Sequence, residues 1–189
     1  MDIVVAISGA SGAVYGITLL GLLKNAGIKT HLILSPWARQ TILLETGLDP
    51  DAVAALADYH YPAGDLSAPV ASGTFRHQGM VIAPCSMKTL AAIAHGYSDN
   101  LIARAADVTI KEGRRLVLMP RETPLSPVHL ENMLKLARLG VVVMPPVPAF
   151  YHRPESINDI VNQTAGRVMD LLGIDNTLVR RWKDQSSPL

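Results

Sequence analysis

The stretch that most limits the possible folds is residues 2–16, which read DIVVAISGASGAVYG. An apolar run leads into a turn of glycine and serine, and the start of an amphipathic helix follows. Small residues let the backbone approach a phosphate or a flat ring, and the free N–H groups of a helix N-terminus favour an anion. The glycines at 9, 12 and 16 lack the G-x-G-x-x-G spacing of dinucleotide sites, and no P-loop lysine follows. The stretch predicts a site for an anionic or flat ligand, with a plain tight turn as the alternative.

Composition narrows the class of protein. A length of 189 residues suits one domain, and 49% hydrophobic against 17% charged residues indicates surface buried between subunits. A net charge of +1 without a basic block argues against a nucleic-acid partner. The single cysteine excludes an internal disulfide and suits a reducing compartment. Because the N-terminus enters a strand at once, we expect no signal peptide and a cytoplasmic location. The apolar run at residues 141–151 is broken by three prolines, so we expect no membrane span.

Hydrophobic patterning predicts an alternation of strands and helices along the chain. The predicted strands are residues 3–7, 29–34, 80–83, 116–119 and 141–144. The predicted helices are residues 13–25, 36–46, 52–57, 87–94, 100–111, 127–139 and 156–172, with a short tail helix at about 176–183. Residues 59–78 show little periodicity and are predicted to form a long functional loop. Short, continuously apolar strands indicate a parallel sheet covered on both faces. We therefore predict a single α/β domain over residues 1–189, a three-layer flavodoxin-like or Rossmann-like sandwich with a parallel sheet.

Polar and small residues follow most of the predicted strands. In parallel sheets of this kind, ligands bind outside the carboxyl ends of the strands. The residues found there are Gly9, Ala10 and Ser11 after the first strand, Ser35 after the second, Cys85, Ser86, Met87, Lys88 and Thr89 after the third, Arg121 and Glu122 after the fourth, and Tyr151 beyond the fifth. The order of the chain therefore predicts one polar site along one edge of the sheet.

Several of these residues have a plainer interpretation as well. Residues 86–89 open a helix and can hold a phosphate, but Ser86 can equally be an ordinary N-cap. Cys85 has no histidine nearby and is interpreted as a packing residue rather than a nucleophile. Arg121 and Glu122 are predicted to bind an anion and to serve as acid or base, with an exposed ion pair as the alternative. The basic residues Arg104, Lys111 and Arg167 lie on helices, where a solvated face is the default. The six histidines lack metal-ligand spacing, so no metal is predicted.

Five segments resemble the UbiX-type flavin prenyltransferases over nearly the whole chain. They read SGASGAVYG, PCSMKTL, NLIARAADVTIKE, LVLMPRETPLSPVHLENMLKLARLG and MPPVPAFYHRPESI. The resemblance implies a homododecamer of flavodoxin-like subunits that binds FMN at subunit interfaces. It implies a metal-independent reaction in which the dimethylallyl group of dimethylallyl phosphate is joined to N5 and C6 of reduced FMN, closing a fourth ring and releasing phosphate. The product, prenylated FMN, would serve UbiD-type decarboxylases, for instance in ubiquinone biosynthesis.

The matching motifs also imply roles for individual residues. FMN contacts are implied for Gly9, Ala10, Ser11, Ser35, Ser86, Met87, Lys88, Thr89 and Arg121. Binding of dimethylallyl phosphate is implied for Tyr151 and Arg167, helped by Lys111 and by Arg121 of a neighbouring subunit. Glu122 and Glu45 match acidic residues near the reacting centre and are assigned the acid–base step, and Lys111 and Ser11 complete the implied catalytic set.

These assignments agree with the chemistry of the reaction. Cleavage of an allylic C–O bond develops negative charge on phosphate, which arginine, lysine and a tyrosine hydroxyl stabilise without a metal. Attack through C6 of the flavin requires loss of a ring proton to a carboxylate. One departure from the family concerns residues 65–73 around Leu66, where some relatives have a tryptophan and this chain has none. The flavin itself is then the main π surface expected in the prenyl pocket.

Two other functions remain as alternatives. FMN-dependent cysteine decarboxylases share the fold but use a flavin-site histidine and a P-x-M-N-x-x-M-W motif, whereas residues 145–151 here read PPVPAFY. A non-catalytic flavin carrier or regulatory subunit would need no groups around a leaving phosphate. The combined presence of Lys111, Glu122, Tyr151 and Arg167 argues against that carrier.

Overall fold

The structure is a computed structural model that describes residues 1–182. In this range the chain forms six strands, namely β1 (Asp2–Ile7), β2 (Lys29–Leu34), β3 (Tyr59–Pro62), β4 (Gly79–Cys85), β5 (Arg115–Pro120) and β6 (Val142–Val143). It also forms seven α-helices, namely α1 (Ala13–Asn25), α2 (Pro36–Thr46), α3 (Pro50–Ala54), α4 (Met87–Ala94), α5 (Leu101–Lys111), α6 (Pro127–Arg138) and α7 (Ile157–Leu171). A short 3₁₀ turn covers Pro69–Ala71.

All six strands are parallel and are ordered β3-β2-β1-β4-β5-β6. The chain starts at β1 in the middle, builds outward through β2 and β3, and then crosses to β4 on the other side of β1. The order therefore reverses between β1 and β4, and a crevice at such a switch point is the usual ligand site of a doubly wound sheet. The predicted three-layer α/β sandwich with a parallel sheet is confirmed.

Strand β1 shows why the sheet has a helical layer on each face. Ile3, Val5 and Ile7 are fully buried against one core cluster, which α1 and α7 share. Val4 and Ala6 point to the other cluster, which contains residues of α4, α5 and α6. Because successive side chains of a strand alternate between faces, a run that is apolar at every position is buried on both sides.

Close packing of α1 on the sheet depends on Gly16. A Cβ at this position would collide with the carbonyl oxygen of Ala83 in β4 and with the side chain of Ile7. The glycine therefore lets α1 sit directly over the junction of β1 and β4. The loop before α1 is thereby held at the switch point of the sheet.

Three sequence-based predictions need correction. Residues 59–62, predicted as part of a long loop, form the edge strand β3, which pairs with β2. The helix predicted at residues 52–57 is α3, which begins two residues earlier, at Pro50, and ends at Ala54, because Asp49 caps it and Pro50 takes the first helical position. The predicted tail helix at 176–183 is wrong for residues 176–182, which are not helical, and Lys183 lies outside the described residues. Among residues 1–182, we find no helix with the length and apolarity that crossing a bilayer requires.

Candidate functional site

Ser8 ties together the two strands that flank the switch point. It follows β1 and is almost fully buried, and its hydroxyl donates to the carbonyl oxygen of Pro84 in β4 at 2.8 Å. The Ser8 hydroxyl oxygen in turn accepts a hydrogen bond from the backbone amide of Ser86 at 2.7 Å. The start of α4 is therefore positioned against the loop after β1 by one buried hydroxyl.

Substitution of Ser8 by alanine tests this junction. Both the Pro84 carbonyl and the Ser86 amide would lose a buried partner, so we expect the free energy of unfolding to fall by about 1–3 kcal/mol. The measurement is urea denaturation of Ser8→Ala beside Ser72→Ala, which removes an exposed serine hydroxyl. Equal midpoints for the two variants would show that the Ser8 hydroxyl does not hold the junction.

Two further serines begin helices at the same edge of the sheet. Ser35 follows β2 and its hydroxyl caps α2 by accepting from the Ala38 amide at 3.0 Å. Ser86 follows β4 and caps α4 by accepting from the Thr89 amide at 3.3 Å, while its own hydroxyl donates to the Thr89 oxygen at 3.1 Å. The N-cap alternative for Ser86 is therefore what the structure shows. The N-termini of α2 and α4 both lie at the carboxyl edge of the sheet, called the rim below, where their dipoles favour an anion.

Glu45, near the end of α2, lies over the start of α1. One carboxylate oxygen accepts from the backbone amides of Gly12 at 2.9 Å and Ala13 at 3.1 Å. Gly12 has φ of +99°, a left-handed conformation that favours glycine and turns these amides toward the carboxylate. The amides that the sequence assigned to an anionic ligand are therefore bound by a side chain of the protein itself.

The surroundings of Glu45 favour its ionised form. Partial burial raises the pKa of this carboxyl, but hydrogen bonds from the Ser11 side chain and from the amides of Gly12 and Ala13, with the positive charge of Arg121, outweigh burial. The net result is a pKa below the ordinary value of 4.5. Ser11, Glu45 and Arg121 thus converge, although they come from the ends of β1, α2 and β5. A carboxylate in this state can accept a proton at neutral pH.

The pH dependence of stability gives a test of this contact. Because folding lowers the pKa of Glu45, its stabilising effect is fully present above the unfolded value of 4.5 and is lost as pH falls through the folded pKa. We expect Glu45→Gln to lower the free energy of unfolding by about 0.5–1 kcal/mol at pH 7, and by progressively less below pH 4.5. Urea denaturation of both proteins from pH 3.5 to pH 7 measures the difference. A constant difference across this range would contradict the assignment.

The residues after β5 are exposed and do not pair with each other. Arg121 donates its backbone amide to the Cys85 carbonyl at 3.2 Å, which holds the end of β5 beside the end of β4. Glu122 accepts from the Thr123 amide at 3.0 Å. Among the ion pairs of residues 1–182, none joins Arg121 to Glu122, so the ion-pair alternative is not observed. Cys85 is fully buried and burial raises the pKa of its thiol, which supports the packing interpretation.

The residues assigned to the prenyl phosphate lie elsewhere on the chain. Tyr151 follows β6, and its hydroxyl oxygen lies 3.0 Å from the Gln163 amide nitrogen on α7. Arg167, one turn further along α7, donates to Asp170 at 2.7 Å. Lys111 ends α5 at the amino edge of the sheet, before β5 begins, and pairs with Glu112. Since β5 has six residues, Lys111 is separated from the rim at Arg121 by about 20 Å of strand.

Three residues beside these sites were not singled out from the sequence. Ser8 had no signal, because a buried bridging serine looks like part of a turn. Gln163 is buried within an amphipathic helix, where an unexpected polar residue on the apolar face is the available signal. Trp37, 72% exposed, packs its Cβ against Gly9 and brings an aromatic side chain to the loop after β1.

Within residues 1–182, no three His, Cys, Asp or Glu side chains are grouped so that they could hold a metal ion.

A doubly wound parallel sheet with helix N-termini and small residues at its switch point defines an α/β protein of the nucleotide- and flavin-binding class. The family model named Flavoprotein matches residues 1–169. A mitochondrial flavin prenyltransferase of Saccharomyces cerevisiae, PAD1, is 53% identical over 181 residues, covering 96% of this chain and 75% of the relative. The chain therefore belongs to the flavoprotein family and, within it, to the UbiX-like flavin prenyltransferases, so the resemblance noted in the sequence is confirmed.

Solved structures agree with this assignment. AnUbiX (PadA1) in complex with FMN and dimethylallyl pyrophosphate has a TM-score of 0.95 and 53% identity, covering 96% of this chain and 97% of that chain. A dodecameric FMN-dependent UbiX-like decarboxylase from Escherichia coli O157:H7 has a TM-score of 0.95 and 51% identity, covering 97% of this chain and 100% of that chain. The peptidyl-cysteine decarboxylase EpiD has a TM-score of 0.65 at 16% identity over 90% of this chain and 97% of that chain. That last likeness shows the fold alone.

Proposed function

We propose that this protein is a flavin prenyltransferase that joins the dimethylallyl group of dimethylallyl phosphate to N5 and C6 of reduced FMN. The observation that carries the proposal is identity of about half to flavin prenyltransferases over nearly the full chain, together with the contact of the Glu45 carboxylate with the amides of Gly12 and Ala13 beside the switch point. An ionised carboxylate beside a serine hydroxyl and an arginine supplies a base and an anion ligand at one place. The alternative cysteine decarboxylase shares only the fold.

Different parts of the rim are suited to different parts of FMN. The amides at the start of α1 already bind Glu45, so they do not favour a second anion. The N-termini of α2 and α4, capped by the hydroxyls of Ser35 and Ser86, are better placed for the phosphate. We assign the FMN phosphate to those N-termini, with residues 86–89 contributing most of the contacts. The loop at residues 9–11, beside Glu45, is then left for the reacting end of the flavin.

Reduced flavin supplies the nucleophile, and the protein supplies charge and proton acceptors. The allylic C–O bond breaks as the N5–C bond forms, and the leaving phosphate takes the electron pair. Arg167 and the Tyr151 hydroxyl stabilise that phosphate. The proton that N5 loses is added to the double bond of the transferred group, which makes its tertiary carbon electrophilic. C6 attacks that carbon to close the ring, and the proton released from C6 passes to Glu122 or Glu45. Because the pKa of Glu45 is lowered, it is suited to accept that proton rather than to donate one.

The site needs a neighbouring copy of the chain. Lys111 lies at the opposite edge of the sheet from Glu45, so both can reach one donor only if they come from different subunits. Exposed apolar side chains on α2 and α6 offer surfaces for such contacts, namely Trp37, Leu43, Leu44, Val128, Leu130 and Leu134. We therefore propose a homo-oligomer, as in the dodecameric relative, with FMN at the subunit boundary. A UbiD-type decarboxylase is the proposed recipient of the product.

An anaerobic assay with purified protein tests the function. Chemically reduced FMN is mixed with dimethylallyl phosphate, and the flavin is weighed by mass spectrometry after release. The proposal predicts a gain of one C₅H₈ unit with release of one phosphate per flavin. A parallel reaction with dimethylallyl pyrophosphate, the compound bound in the AnUbiX structure, determines which leaving group the enzyme uses.

The same assay separates the alternatives. Flavin of unchanged mass with either donor would contradict the transferase and favour a carrier. Release of carbon dioxide from a cysteinyl peptide, with no change in flavin mass, would favour a cysteine decarboxylase.

A further inference from the structure

Gln163 makes three hydrogen bonds from a buried position on α7. Its side chain is only 5% exposed. Its Nε2 lies 3.0 Å from the Tyr151 hydroxyl oxygen and 3.3 Å from the Arg180 carbonyl oxygen. Its Oε1 accepts from the Arg180 backbone amide at 2.9 Å. The glutamine thus joins the Tyr151 loop to the segment that follows α7.

The two contacts with Arg180 fix which end of the amide faces Tyr151. A backbone N–H can only donate, so the atom facing it must be the oxygen of Gln163. A backbone carbonyl can only accept, so the atom facing that group must be the Gln163 nitrogen. Both requirements give the same orientation, and the second N–H of Gln163 is left to donate to the Tyr151 oxygen.

This orientation determines where the Tyr151 hydroxyl hydrogen points. A phenol O–H lies near the plane of its ring and has two main directions, one on each side of the oxygen. The side facing Gln163 is taken by the incoming N–H, so the hydrogen points to the other side. Tyr151 is 43% exposed, so a ligand can reach this residue.

We propose that Gln163 is a positioning residue that sets the Tyr151 hydroxyl as a hydrogen-bond donor to the phosphate of the prenyl donor. The inference rests on the proposed function, because it requires Tyr151 to bind that phosphate. Arg167 lies one turn beyond Gln163 on the same helix, so charge and hydroxyl reach the phosphate from one side. Because the Tyr151 hydroxyl is already oriented before the donor binds, less conformational freedom is lost on binding.

Two substitutions test the role of the amide. Gln163→Met keeps the length and removes the donor. Gln163→Glu keeps an acceptor for the Arg180 amide but presents a carboxylate to Tyr151, which turns the hydroxyl hydrogen inward. We expect the KM for dimethylallyl phosphate to rise about tenfold in Gln163→Met and further in Gln163→Glu. The dissociation constant of FMN should be unchanged, and thermal melts of both variants check that they are folded.

A double-mutant cycle with Tyr151→Phe separates positioning from simple structural support. If Gln163 acts through the hydroxyl, Gln163→Met should have no further effect on the KM once that hydroxyl is gone. An equal rise in the KM in both backgrounds, or no rise with Tyr151 intact, would overturn the positioning role. If the wild-type protein transfers no dimethylallyl group, the proposed function fails and this inference fails with it. Normal transfer with insensitive Gln163 variants would overturn this inference alone.

Discussion

Changing Glu122 to glutamine is expected to slow formation of prenylated FMN by about 10²–10⁴-fold while FMN binding persists. Glu122 is exposed immediately after β5, beside Arg121. Closure of the new ring must release a proton from C6, and an amide cannot accept it. Within residues 1–182, the only hydrogen bond of the Glu122 carboxylate is to the Thr123 backbone amide. Loss of its charge should therefore not disturb the fold.

Single-turnover kinetics with reduced FMN provide the measurement. The matched control is Glu131→Gln, which neutralises an exposed glutamate on α6, away from the end of β5. We expect the control to turn over as the wild type does. Unaltered turnover by Glu122→Gln would remove Glu122 from the chemistry and leave Glu45 as the proton acceptor.

Replacing Arg167 with alanine is expected to weaken use of the prenyl phosphate more than binding of FMN. Loss of a desolvated arginine–phosphate pair costs about 2 kcal/mol or more, which corresponds to a rise of about 30-fold in the KM for dimethylallyl phosphate. In the structure Arg167 donates to Asp170 at 2.7 Å, and Arg181 also contacts that carboxylate at 3.1 Å and 3.2 Å. The shared partner means that Asp170 stays paired when either arginine is removed.

Arg181→Ala is therefore the matched control, since it removes the other arginine from the same carboxylate. If the effect comes from contact with phosphate, only Arg167→Ala should raise the KM. Similar losses in both variants would point to the Asp170 contact instead. Equal losses for FMN and for the prenyl donor in Arg167→Ala would contradict its assignment to the donor.

The parts of the fold that follow from local pattern were predictable. Strands β1, β4, β5 and β6 are apolar at nearly every position, and most helices begin after a capping serine or asparagine, some of them with proline in the first turn. Strand β3 was missed because residues 59–62 read YHYP, a short and largely exposed edge strand that ends in proline. The tail helix was wrong because contacts of Asn176 and Arg180 with α7 hold the segment in a non-helical path.

The site was predictable to the level of the sheet edge and no further. The carboxyl ends of parallel strands must share one edge, so Ser11, Ser35, Ser86 and Arg121 could be grouped from their order in the chain. That Glu45 binds the amides of α1 depends on how α2 packs beside α1, which no local pattern encodes. The position of Lys111 at the opposite edge likewise follows from the direction of α5.

The central claim is that one rim of the sheet holds the flavin and the prenyl donor face to face. A crystal structure of the assembled protein with oxidised FMN and dimethylallyl phosphate tests it most directly. We predict the FMN phosphate at the N-termini of α2 and α4, the flavin ring against Ser11, and the donor phosphate in contact with Tyr151 and Arg167. FMN bound away from the carboxyl ends of β1 and β4, or a donor out of contact with the flavin ring, would contradict the account.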